Sequence, residues 1–184
     1  MKRALALSFV ALAISVAGAS AANAATVSVE EYVNNVCTSV TAFSEASDQA
    51  TQTFQNDTAT LTKVSQVKPK FVAFFDSLRD AVTQLQADLK GAGTPQLAHG
   101  NTIAKQLRDV IASMGDVVTD ARDTAADLKT SSPKQFAKSA TELGVKLDKA
   151  FSNVGDGFDG LPKRYDTSTL KAAQQADAAC AILN

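Results

Sequence analysis

A few sets of side chains in this sequence are spaced closely enough to do chemistry. The single histidine, His99, stands in Leu97-Ala98-His99-Gly100-Asn101. A general base or a metal ligand there would need a partner, and there is no second histidine to supply one. Structural zinc takes about four Cys or His ligands at short spacing, which one histidine and two distant cysteines do not provide. His99 therefore reads as a loop residue. Asn153, Asp156 and Asp159 lie in or beside Val154-Gly155-Asp156-Gly157-Phe158-Asp159-Gly160, where three oxygen donors on a flexible loop would suit calcium. The signal is weak, because the alternate acids and closing glutamate of an EF-hand are missing and Asp and Gly are ordinary turn residues. No G-x-S-x-G elbow occurs. Gly91-x-Gly93 and Gly155-x-Gly157 lack the preceding strand of a dinucleotide fold and the lysine of a phosphate-binding loop. The expectation is a protein with no catalytic residues and no cofactor.

Two further constellations suit binding. Asp116, Asp120, Asp123 and Asp127 recur at helical spacing and line one helix face. Like charges this close repel mildly, so the row is either a plain solvated face or a docking ridge for a basic partner. Lys134, Lys138, Lys146 and Lys149 on the next helix could offset it within the molecule. Phe71, Phe74 and Phe75 cluster on another helix. They either fill the core or line a site for a small apolar ligand held between helices. Asn56-Asp57-Thr58 matches a glycosylation sequon, of consequence only in a eukaryotic host.

The compartment follows from the first residues. Lys2 and Arg3 precede an apolar run from Ala4 to Gly18, and small residues lead to Ala22-Asn23-Ala24. A basic start, a short apolar stretch and an A-x-A-like site make a secretory leader. At about 15 residues the run is shorter than the ~20 a membrane helix needs. Residues 1–24 are expected to be removed, leaving 25–184 as one domain of about 160 residues. Net charge then moves from −1 to about −3. That weakly acidic balance lacks the basic footprint of a nucleic-acid binder and does not favour an anionic lipid surface. In an exported chain, Cys37 and Cys180 are expected to form a disulfide. Two separate buried thiols are the alternative.

Apolar residues recur with helical periodicity nearly throughout, and strand signals are almost absent. The first helix opens on the capping box Ser28-x-x-Glu31, with Val27 and Tyr32 placed as a hydrophobic staple. Asn56-Asp57 ends it, and residues 58–68 are ambiguous between helix and loop. Pro69 fits the first position of the second helix, whose stripe is Phe71, Phe74, Phe75, Leu78, Val82, Leu85 and Leu89. Gly91 suits a left-handed cap. The third helix runs from about Asn101 to Thr130-Ser131. Ser132-Pro133-x-Gln135 then caps a fourth, which the glycines at 155, 157 and 160 should break. A last helix spans about Thr167 to Leu183.

Short connections make neighbours antiparallel. The reading is an all-α up-and-down bundle, four main helices plus a shorter C-terminal one, with the first and last joined by the disulfide. Cys37 lies about 13 Å above the start of its helix and Cys180 about 20 Å above the start of its own, at 1.5 Å per residue. Heights that close are compatible with a bond.

A resemblance rests on Cys37 in the first helix, the run Lys70-Phe71-x-x-Phe74-Phe75 opening the second, the Ala92-Gly93-Thr94-Pro95 connector with Gly100, and Ala179-Cys180 near the end. With the leader, these features resemble the small secreted helical proteins and lipoproteins of actinobacteria, a group without an assigned activity. The resemblance implies a bacterial, extracytoplasmic setting and carries over no functional residues. The lipoprotein members' lipidated cysteine is missing here, so membrane attachment is not implied. The function expected is that of a non-enzymatic binding or interaction protein, with a carrier or sensor of a small apolar ligand held in the bundle core as the alternative.

Overall fold

The structure is a computed structural model that describes residues 25–159 and 165–183. The expected leader, residues 1–24, lies outside the described residues. The elements in order are β1 (Thr26–Val27), α1 (Val29–Thr58), α2 (Val64–Gly91), β2 (Thr94–Pro95), α3 (Gly100–Asp127), α4 (Pro133–Asp159) and α5 (Ser168–Ala176), then a 3-10 turn at Ala178–Leu183. The long helices α1 to α4 pack in sequence as an up-and-down bundle, and the C-terminal segment returns to α1. Among the described residues, no helix is long and apolar enough to cross a membrane.

The helix starts with a capping side chain behave as expected. Ser28 Oγ accepts from the Glu31 N–H at 3.1 Å. Ser132 Oγ accepts from the Gln135 N–H at 3.3 Å, with Pro133 as the first residue of α4. Each satisfies a donor that a helix start leaves open. The ambiguous stretch after Asp57 divides into the end of α1, a link at residues 59–63 and the first turn of α2.

Four expectations need correction. Pro69 does not begin α2; the helix already starts at Val64 and carries Pro69 inside its second turn. Pro69 and Ser65 are both exposed, so the carbonyl deprived of its helical donor lies on the wet side, where water replaces the missing bond. The left-handed residue after α2 is Gly93, at φ 84°, not Gly91. A Cβ on Gly93 would lie 2.7 Å from the Ala25 carbonyl oxygen, so the position needs glycine for close approach as well as for φ. The glycines at 155 and 157 do not interrupt α4, which continues to Asp159; Gly160 lies outside the described residues. The last helix is not continuous: Asp177 takes extended backbone between α5 and the 3-10 turn. Its Oδ1 accepts from the Ala179 N–H at 2.8 Å, the local bonding by which Asp competes with a helix.

A two-residue parallel pairing also joins Thr26–Val27 to Thr94–Pro95. The Thr94 N–H donates to Ala25 and the Gln96 N–H to Val27, both at 2.9 Å. It ties the start of the described chain to the connector between α2 and α3.

The core has two parts. The lower one joins Tyr32, Val33 and Cys37 of α1, Val82, Leu85 and Leu89 of α2, and Leu107, Ile111, Met114 and Val118 of α3, and it includes Cys180. The upper one gathers Phe75, Ala121, Ala125 and Leu143, with Phe71, Phe74 and Leu147 half-buried against it. The Cys37–Cys180 disulfide closes the lower part across a sequence separation of 143.

Tyr32 gives the lower core an alkaline limit. Burial pushes its phenol up to about 12 from the usual 10.0, and nearby Arg108 opposes this less strongly. The folded state therefore holds the proton more tightly than the unfolded chain does. The contribution is intact below pH 10 and is lost as pH rises from 10 to about 12. Across that window stability should fall by about 3 kcal/mol, at about 1.4 kcal/mol per pH unit. Urea titrations between about pH 9 and 12 would measure the slope, and Tyr32→Phe should remove most of it.

Candidate functional site

Between α3 and α4 runs an open groove of about 530 Å³. Its floor is apolar, with Ala121 and Leu143 buried and Val117 and Leu147 half-buried. Asp120, Asp123 and Asp127 stand exposed along the α3 side, and Lys146 lies on the α4 side. The helical spacing of the acids produces this placement, since residues three and four apart share a face. Asp116 is exposed as well but lies outside the groove lining.

Partnering within the row is uneven. Asp123 accepts from Arg122 Nη1 at 3.2 Å. Arg122 also reaches back to Asp76 of α2 through Nε at 3.1 Å, and Asp76 meets Arg79 at 3.3 Å. The hydrogen bond to Asp76, then that to Asp123, raises the Arg122 guanidinium above its usual range. Among the described residues, no cation lies within ion-pair distance of Asp116, Asp120 or Asp127. The lysines of α4 do not neutralise the row by direct contact, and Lys138 instead faces Glu142 at 3.8 Å.

The phenylalanines come together behind the floor of this groove, in the cluster that shares Ala121, Leu143 and Leu147 with it. Phe71 and Phe74 lie 5.0 and 5.2 Å from Phe75, ring centre to ring centre, in edge-on contacts. Phe54 of α1 adds contacts at 5.8 and 5.5 Å, and Phe136 of α4 one at 6.4 Å. Phe75 is 1% exposed. These are the spacings at which aromatic rings pack on one another, so the space between the helices is occupied by the rings themselves. Phe54 and Phe136 belong to the set although periodicity on α2 alone does not reveal them.

His99 precedes α3 in left-handed backbone, at φ 62° and ψ 14°. Its ring lies 5.5 Å from that of Tyr165, whose hydroxyl accepts from Gln106 at 3.3 Å. It borders an open cleft of about 700 Å³ with Thr26, Thr94, Gln96 and Asn101. Among the described residues, no group of three or more His, Cys, Asp or Glu could hold a metal ion. Asn153, Asp156 and Asp159 sit on helical backbone instead of a loop, and their side chains lie outside the described residues.

No protein-family model, curated protein or solved structure matches the chain.

Proposed function

We propose that the chain is a non-enzymatic, extracytoplasmic binding protein whose α3–α4 groove receives a basic amphipathic segment of a partner protein. The secretory leader expected at residues 1–24, the likeness to secreted actinobacterial helical proteins and the disulfide support the setting, because disulfides persist in oxidising compartments. The observation that carries the binding role is that Asp120 and Asp127, beside Leu143 and Leu147, meet no cation among the described residues. A helix with lysines along one edge and leucines along the other would meet both at once, the helix-in-groove mode of recognition. The alternative of an apolar ligand at Phe71, Phe74 and Phe75 has no comparable support, since those rings pack against each other.

The test uses the leader-free chain and two synthetic helical peptides of about 18 residues, one patterned with Lys and Leu and one with Glu and Leu. Fluorescence anisotropy should show binding of the cationic peptide alone, weakening as salt rises. Asp120→Asn with Asp127→Asn should weaken it about tenfold, as expected when two rim charges are lost. Equal binding of both peptides, or an unchanged affinity in the double variant, would refute the groove assignment.

A further inference from the structure

We propose that residues 165–183 form a strap latched across the α1–α3 side of the bundle by the Cys37–Cys180 bond, and that a dithiol reductant releases this strap as a unit while α1 to α4 stay folded. The segment begins beside α3, where Tyr165 meets His99 and Gln106, and ends on α1 at the disulfide. Among the described residues its burial is light. No residue of α5 is buried, and Leu170, Ala173 and Ala179 are only half-buried against the lower core.

The polar ties to α1 are long. Asn34 Nδ2 donates to Asp177 Oδ1 at 3.3 Å, and Thr41 Oγ1 donates to the Ala179 carbonyl at 3.3 Å. Cys180, with no exposure, is the buried residue of the strap among those described. The remaining core is built without it: Val82, Leu85 and Leu89 of α2 face Ile111, Met114 and Val118 of α3, and the upper cluster draws on α2, α3 and α4. A segment with few buried contacts belongs to the low-stability end of a fold. Here a covalent bond holds it there.

The chemistry is thiol–disulfide exchange. A thiolate of the dithiol attacks one sulfur of the Cys37–Cys180 bond and forms a mixed disulfide. The second thiol of the reductant then displaces the remaining cysteine, leaving Cys37 and Cys180 as thiols and the reductant as a cyclic disulfide. Two electrons and two protons pass to the protein. Both cysteines are buried, at 2% and 0% exposure, so the turn around Cys180 must open locally, still tethered, before the thiolate reaches the bond. Release uncovers the face of α1 around Cys37 and Thr41, where the strap is bonded.

Hydrogen exchange with mass-spectrometric readout at about 20 °C, on the full leader-free chain with and without dithiothreitol, tests this. After reduction, amides of residues 168–183 should exchange at nearly the rate of an unstructured chain, while those of residues 82–89 and 111–118 fall only as far as the lower global stability dictates and stay protected at least about 100-fold more than the strap. The double variant Cys37→Ala/Cys180→Ala should reproduce the pattern without reductant. Exchange of residues 82–89 and 111–118 at the strap's own rate, or failure of the double variant to fold, would show one cooperative unit and overturn the proposal. So would retention of strap protection after complete reduction.

Discussion

Phe75→Ala is expected to destabilise the protein by about 3–5 kcal/mol, the range for deleting a large ring from a core that cannot collapse around the gap. Phe75 is 1% exposed and touches Phe71 and Phe74 edge-on, so its removal empties the centre of the upper cluster. Ala121, Ala125 and Leu143 border the space from α3 and α4, and alanines have no side chain long enough to move into it. Phe75→Leu should cost less, because most of the volume is kept. Urea unfolding followed by circular dichroism reads both. A loss below about 1 kcal/mol for the alanine variant would mean that the upper cluster is not a packed core, and would reopen the apolar-ligand reading.

The second large effect concerns the unfolded chain. Replacing both cysteines by alanine should lower the global unfolding free energy by about 4–5 kcal/mol on the chain-entropy model, for a bridge spanning a separation of 143. The loss arises because the unlinked chain regains the freedom that the bridge denied it. Helical signal at room temperature should change little, apart from the C-terminal segment. Chemical denaturation of the double variant against the oxidised protein measures the difference. A loss under about 2 kcal/mol would imply that the unlinked unfolded chain is already compact.

How far these features are legible in the sequence depends on how local their causes are. Ser28-x-x-Glu31 and Ser132-Pro133 mark helix starts because one side chain bonds a backbone N–H three residues on, and the structure shows both bonds. The start of α2 carries no such mark: Lys63 precedes it without a capping side chain, so Pro69 is the nearest signal and misleads. Gly91 and Gly93 are equally permissive as residues. Only the approach of Ala25 and Val27 decides that Gly93 takes the left-handed form. The β1–β2 pairing is two residues long, too short for any alternation to show. The glycines of α4 would weaken an isolated helix by about 1 kcal/mol each, yet the helix runs on, as tertiary context often dictates.

Asp177 illustrates the opposite case. Its break in the last helix draws on a local bond to the Ala179 N–H and a distant one to Asn34, and only the first is written nearby in the sequence. The disulfide is legible from the expected export and the helix order taken together. Of the candidate site, the acidic row is plain from its spacing. That Asp120, Asp123 and Asp127 open onto a groove, whereas Asp116 does not, depends on how far along α3 the next helix lies.

The bridge has one more consequence, for the integrity of the molecule under proteolysis. Because Cys37 and Cys180 are 143 residues apart in sequence, every peptide bond between them lies inside a single covalent ring. Proteolytic scission at any one site between them opens the ring without parting it, and the two fragments travel as one species until a reductant is added.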